Sequence, residues 1–210
     1  MILWLKACAS THQYLIDGLK NGTLSPPFAV GCDEQLQGIG SRGNAWVGGI
    51  GNLFLSFCVE EKQLPHDLPL PSISIYFSAL AHALLEAQSS KVWLKWPNDF
   101  YRNEKKIGGI ITTKIGTTIV GSIGLNLCES PQEFDILDIV VSPQVFAKAL
   151  MDEIEMKREW KDVFSKYKLE FYKNRNATFH LGEKVVSLRD AVLCNDGSIE
   201  LENKKVYSLR

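Results

Sequence analysis

The hydrophobic positions of the chain follow two periods, and the places where one gives way to the other outline the fold. Ile2 to Ala7 is a short apolar run with a tryptophan and predicts a strand. In Ser10-Thr11-His12-Gln13 a serine stands three positions ahead of a glutamine, and an apolar stretch follows. That pattern predicts a helix opened by a capping box, ended by Gly22 and Pro26-Pro27. Phe28 to Cys32 predicts a second strand. Residues 33–51 carry six glycines and almost no periodicity, so a long loop is expected there; loops of that length inside a compact domain are usually functional.

Residues 52–59 read as a buried strand, and Ser72 to Gln88 as a helix with Ser72 as its cap. Val92 to Trp96, Lys106 to Thr113 and Thr118 to Leu127 alternate or run apolar between turn residues, which predicts neighbouring antiparallel strands. From Ser142-Pro143 to about Tyr172 the spacing turns helical again, with Val145, Phe146, Leu150 and Ile154, then Trp160, Val163, Phe164 and Tyr167, and a break near Lys157. Beyond Asn176 three short strand runs and an Asn195-Asp196-Gly197 turn predict a small β-barrel-like module. The expected fold is α+β, a mixed, largely antiparallel sheet with flanking helices, divided into residues 1–175 and a small all-β unit at 176–210.

Composition narrows the functional classes. Of 210 residues, 45% are hydrophobic and 22% charged, with a formal net charge of −1 and a pI near 6.4, so no global field draws the chain to nucleic acid or to an anionic membrane. Any anion site must be local. Cys8, Cys32, Cys58, Cys128 and Cys194 are odd in number, widely spaced and never in a CxxC arrangement, which predicts reduced structural thiols and assigns no metal ligands. The N-terminus has no signal-peptide pattern and no apolar run of about 18 residues occurs, so a cytoplasmic protein is expected.

Two segments carry chemistry. Gly38-Ile39-Gly40-Ser41-Arg42-Gly43 satisfies GxGxxG, but more glycine and then a strand follow it, whereas a dinucleotide fingerprint opens a helix. What remains is a flexible backbone whose N–H groups can approach a phosphate, with Arg42 supplying charge. In Lys95-Trp96-Pro97-Asn98-Asp99 a rigid turn follows a strand edge, which should hold Asn98 and Asp99 at one end of the sheet with Lys106 close by. Gly108-Gly109 then marks a point where a ligand or another backbone comes close. His12, His66, His82 and His180 form no ligand spacing, and the run Asp152 to Asp162 reads as a solvated helix face with i,i+4 pairs.

The order S-T-x-Q, G-x-G-x-R-G-x-x-W, G-N-L, K-W-P-N-D, K-x-G-G-I and G-x-N, over roughly residues 8–128, resembles the catalytic domain of biotin protein ligases (biotin–[acetyl-CoA carboxylase] ligases). The tail from about residue 176 looks like that family's SH3-like C-terminal domain. The resemblance implies a class II synthetase-like catalytic domain that activates biotin with Mg·ATP to biotinyl-5′-AMP. It then passes the biotinyl group to a lysine of a biotin carboxyl carrier protein, a subunit of acetyl-CoA carboxylase. It implies biotin contacts at Ser10, Thr11, Gln35, Gly38, Lys106, Gly109 and Leu125. Nucleotide contacts are implied at Gly40, Ser41, Arg42, Trp46, Asn98, Asn126 and Arg210, and catalytic roles at Lys106, Arg42 and Asp99.

The chain departs from the family's pattern in several places. Ile39, Ser41 and Asn44 stand where the loop usually has arginine, and Ser122 where glycine is common. The helix-turn-helix domain of some members has no room before the first strand, so no operator binding is expected. A homodimer through edge strands is compatible with the pattern. Two other readings are a lipoate-protein ligase, which shares the adenylation logic, and a non-catalytic biotin or adenylate sensor.

Overall fold

The computed structural model describes residues 1–182 and 184–208, with Arg42 described by its backbone alone. Short apolar runs build β1 (Ile2–Cys8), β2 (Phe28–Gln35), β5 (Leu53–Glu60), β8 (Lys105–Ile115) and β9 (Thr118–Leu125), with β5 and β9 buried almost throughout. Two short strands, β6 (Trp93–Lys95) and β7 (Asp99–Arg102), complete a seven-stranded sheet of order β1-β2-β5-β9-β8-β7-β6. Only the β1–β2 pair is parallel. The expected mixed, largely antiparallel sheet is therefore present, with one strand more: β7 lies where a turn alone was expected.

The two faces of the sheet are covered differently. α1 (Thr11–Lys20) lays Leu15 and Ile16 on Val30, Cys58 and Val120. On the other face α2 (Ile73–Glu86), apolar nearly all round, packs on Leu53, Leu55, Phe57 and Ile123. It is covered in turn by α3 (Pro143–Glu155) and α4 (Trp160–Phe171). Lys157, with φ of 48°, makes the break between α3 and α4.

Three local expectations are corrected. Ser10 caps α1 by accepting from the Gln13 N–H, but Gln13 reaches forward to Asp17 instead of back, so the capping box is half made. Ser72 precedes α2 without capping it; its hydroxyl donates to the carbonyl of Asp196 in the C-terminal segment. The charged run straddles the α3–α4 break, so of its ion pairs Asp152–Lys148 has the i,i+4 spacing while Arg158–Glu153 and Lys161–Glu159 do not.

The glycine-rich stretch is shorter and more ordered than its composition suggests. β2 runs on to Gln35, and β3 (Gly38–Ile39) pairs with β4 (Ala45–Trp46) across a 3-10 turn at Ser41–Gly43. After α4 the described residues form five strands, not three: β10 (Thr178–Leu181) with β11 (Lys184–Ser187), and β12 (Val192–Leu193), β13 (Ile199–Leu201) and β14 (Lys204–Val206) as a second sheet. The Asn195-Asp196-Gly197 turn joins β12 to β13, with Gly197 at φ 79°. Phe179, Leu188, Ile199 and Val206 belong to the same apolar cluster as the large sheet.

Candidate functional site

Strand register builds the site on the α1 face. Across β2, β5, β9, β8, β7 and β6 one lateral row reads Cys32, Phe54, Gly124, Gly109, Asp99 and Lys95. The next row reads Val30, Ser56, Ser122 and Ile111. Two adjacent glycines thus leave a patch of bare backbone, and Trp46 lies across it. A Cβ on Gly124 would stand 2.6 Å from the Trp46 ring, so only glycine lets the indole lie there.

The resulting cavity is lined by Thr11, His12, Gln35, Ile39, Gly40, Ser41, Trp46, Asn98, Asp99, Lys106, Gly109, Ile111, Ser122 and Gly124. It opens into a wider cleft that reaches Lys95, Tyr101, Phe179, His180 and Ser208.

At one end lies an ion pair. Asp99 opens β7 and Lys106 lies near the start of β8; a bulge at Phe100/Tyr101 re-aims the strand between them. Lys106 Nζ sits 2.7 Å from Asp99 Oδ1, with both side chains about a quarter exposed. Asn98 donates its side-chain amide to the carbonyl of Ile110, which fixes the turn against β8. Lys95 Nζ donates to Tyr101 Oη at 3.0 Å; burial lowers the Lys95 pKa and raises that of Tyr101.

At the other end the wall is polar and buried. Gln35 Oε1 accepts from the N–H of Thr11 at 2.9 Å and from its hydroxyl at 3.1 Å. Ser56, Ser122 and His12 continue this contact chain, and Thr113 ends it. Gly38 is required beside Gln35, because a Cβ there would overlap the Trp46 carbonyl and crowd the Gln35 amide.

Of the residues singled out from sequence, the structure gathers Thr11, Gln35, Gly40, Ser41, Trp46, Asn98, Asp99, Lys106 and Gly109 around one cavity. Ser10 is buried at the cap of α1, and Gly38 stands behind Gln35. Leu125 faces the opposite core and is fully buried there, because β9 alternates and Gly124 holds the cavity position. Asn126 is buried just past β9, with Nδ2 donating to the carbonyl of Asp135. The Arg42 side chain and all of Arg210 lie outside the described residues. Trp46 Nε1 and Asn126 Oδ1 are buried side-chain atoms without a hydrogen-bond partner among the described residues, the condition expected where a ligand completes the set.

His12 and Ile111 line the cavity, Lys95 and Tyr101 line the outer cleft, and Ser56 lies behind the wall; sequence reasoning gives none of them a role. Ser56 and Ser122 face each other across β5 and β9, which only the register reveals. His12 had a signal in its place directly after Thr11. Among the described residues no group of three or more His, Cys, Asp or Glu is arranged to hold a metal.

The model of the biotin/lipoate A/B protein ligase family matches residues 4–127, more than half of the chain. The bifunctional ligase/repressor BirA of Salmonella typhimurium is 33% identical over 135 residues, 61% of this chain and 41% of that protein. The Escherichia coli protein of the same name is 35% identical over 124 residues, 56% and 38% of the two chains. The matched region therefore spans about two fifths of the length of these relatives. A crystal structure of biotin acetyl coenzyme A carboxylase synthetase from Helicobacter pylori with bound biotinylated ATP superposes with a TM-score of 0.93 at 35% identity, covering 98% of both chains. Biotin protein ligase from Aquifex aeolicus in complex with biotin and ATP shares the fold, with a TM-score of 0.77 at 23% identity over 100% of this chain and 95% of that one. With its glycine floor, its Lys106–Asp99 pair and these matches, the chain belongs to the biotin/lipoate A/B protein ligase family.

Proposed function

We propose that the protein is a biotin protein ligase. It joins biotin to ATP as biotinyl-5′-AMP and transfers the biotinyl group to a lysine of a biotin carboxyl carrier protein. The observation that carries this reading is one cavity with a cation at one end and a buried hydrogen-bonding wall at the other. A biotin molecule has a polar cyclic urea, an apolar chain and a carboxylate in that order. Thr11 and Gln35, with Ser10 behind them, would hold the urea, and Ile111 would line the chain. The carboxylate would then lie near Lys106.

A carboxylate and a triphosphate repel each other, so their contact needs fixed positive charge and backbone donors. Lys106 supplies the charge beside the bare backbone of Gly109. One carboxylate oxygen attacks the α-phosphorus and pyrophosphate leaves. Trp46 Nε1 and Asn126 Oδ1, unpaired among the described residues, together with Asn98, Gly40 and Ser41, would hold the nucleotide, with Arg42 and Arg210 as further cations. In the second step the carrier lysine attacks the acyl carbon, AMP leaves, and Asp99 accepts a proton from the ammonium. Mg²⁺ would come with the triphosphate, since no described residues form a cage for it.

Residues 176–210 would form an appended unit that closes the outer cleft through Phe179, His180 and Ser208. A cytoplasmic location, a homodimer through sheet edges and the absence of nucleic-acid binding complete the reading. A lipoate ligase is disfavoured because a dithiolane offers no partner to the Thr11–Gln35 wall. A non-catalytic sensor would have no use for the Lys106–Asp99 pair.

Mass spectrometry of a biotin carrier domain incubated with the protein, biotin and Mg·ATP should show one added biotinyl group. An unmodified carrier alongside lipoylation of a lipoyl domain would reverse the choice.

Two further outcomes are expected. A Cβ on Gly109 would stand 2.9 Å from Asp99 Oδ1 and 3.5 Å from Lys106 Nζ, so Gly109→Ala should displace the ion pair by tenths of an ångström. Because a 1 Å misplacement costs about 10²-fold, kcat/KM for adenylate formation should fall about tenfold with little change in melting temperature. Ser41 lines the cavity, at a loop position where the resemblance implies arginine. A charge-assisted contact is worth about 1.5–3 kcal/mol, so Ser41→Arg should prolong retention of the adenylate by one to two orders of magnitude in single-turnover experiments with labelled ATP. A wild-type protein that already holds the adenylate for many minutes would contradict that expectation.

A further inference from the structure

The polar wall admits one arrangement of its protons. The N–H of Thr11 donates to Gln35 Oε1 at 2.9 Å, which turns the amide oxygen toward Thr11. Thr11 Oγ1 is 3.1 Å from that oxygen, so its proton points there as well. Ser56 Oγ, 2.9 Å from Thr11 Oγ1, must be the donor in its contact. Ser122 Oγ, 2.7 Å from Ser56, is then the donor in the next. No hydroxyl proton is left for the 2.7 Å contact between Ser122 and His12 Nδ1, so the ring donates. Burial lowers the pKa of His12 and favours the neutral ring. With Nδ1 protonated, Nε2 is an acceptor and takes the proton of Thr113 at 3.2 Å.

Each hydroxyl proton is thus directed within the wall. Thr11 Oγ1 and Ser122 Oγ each keep a lone pair outside the chain of contacts, and both residues line the cavity. The neighbours of Ser56 and Ser122 on this sheet face, Cys58 and Val120, are apolar. A serine pair tied to a buried histidine is an expensive way to fill such a row, since each buried polar group needs a partner. A structural role alone would be met by an apolar pair.

We infer that Ser122, oriented by His12, is a further ligand-contacting residue that accepts a hydrogen bond from a ring N–H of the ligand's cyclic urea. His12 is its positioning residue. The inference rests on the biotin reading above and assigns the recognition of its head group to positions outside Thr11 and Gln35.

Titration calorimetry of the full chain with biotin tests it. One hydrogen bond corresponds to roughly a tenfold change, so Ser122→Ala and His12→Leu should each weaken binding about tenfold, with the loss falling mainly in KM for biotin. His12→Asn keeps an N–H donor at the Nδ1 position and should stay within about threefold of wild type. The ¹⁵N signals of the His12 ring should report the neutral Nδ1–H tautomer. Wild-type affinity in Ser122→Ala, or an Nε2–H tautomer, would overturn the inference while leaving the biotin reading in place. A wild-type protein that fails to bind biotin would remove both. If His12→Leu does not fold, Ser122→Ala and the tautomer decide.

Discussion

Replacing Lys106 by glutamine is expected to lower the rate of adenylate formation by about 10²–10³-fold, the cost of removing one group that stabilises developing transition-state charge. Glutamine is one atom shorter than lysine, keeps a polar end and removes the charge, so packing beside Gly109 should largely survive. Lys106 Nζ is 2.7 Å from Asp99 Oδ1, with relative exposures of 24% and 27%. A pair so placed is screened less than a surface ion pair and more than a buried one, and its contribution to folding should stay near the ~1 kcal/mol of exposed pairs. Catalysis should therefore fall far more than stability. Pyrophosphate exchange measures the first step alone, and near-normal exchange in Lys106→Gln would remove the lysine from the chemistry. Lys106→Arg should recover only part of the rate, because the larger planar guanidinium would pair with Asp99 as a fork and carry its charge at a different point from the compact ammonium.

How much of this site can be read from the sequence depends on whether a residue's role is local. The long apolar strands β5 and β9 and the nearly all-apolar helix α2 declare themselves, since their periods extend over eight residues or more. Asp99–Arg102 is only four residues between a Pro-Asn turn and Asn103 at φ 51°, too short for a period to appear. That strand nevertheless gives Asp99 its position opposite Gly109. Thr11, Lys106 and Gly109 are legible because each sits in a motif. The meeting of Ser56 with Ser122 is not, because it depends on the register of β5 against β9. Leu125 shows that a segment match does not give the direction of a side chain. It lies inside a matching segment, but the alternation of β9 turns Gly124 to the cavity and Leu125 to the core. Ser72 and Gln13 likewise look like capping residues, and tertiary partners far along the chain or one turn ahead claim them instead.

Trp96→Ala is expected to cost about 3–5 kcal/mol of folding free energy, the range for truncating a large buried aromatic, and to loosen the C-terminal segment. Trp96 is 1% exposed. Its Nε1 donates to the carbonyl of Gly197 at 3.0 Å, and its ring meets Phe179 edge-to-face at 5.2 Å. Its backbone N–H donates to Asn174 Oδ1 at 2.7 Å, and Tyr167 donates to the carbonyl of Pro97 at 3.1 Å. One side chain thus ties the turn carrying Asn98 and Asp99 to the strands after residue 176. A cavity of indole size in this position also leaves the Gly197 carbonyl without its donor, and the two losses act in the same place. Domains of this size are stable by only about 5–15 kcal/mol, so the variant should unfold at a distinctly lower urea concentration. Limited proteolysis near residue 176 should become faster at concentrations where wild type resists. Trp96→Phe keeps much of the ring and loses the N–H, so its cost should be about 1–3 kcal/mol. Unchanged protection of the C-terminal segment in Trp96→Ala would mean that residues 176–210 fold on their own core. The apolar cluster that Phe179, Ile199 and Val206 share with the large sheet argues for the opposite outcome.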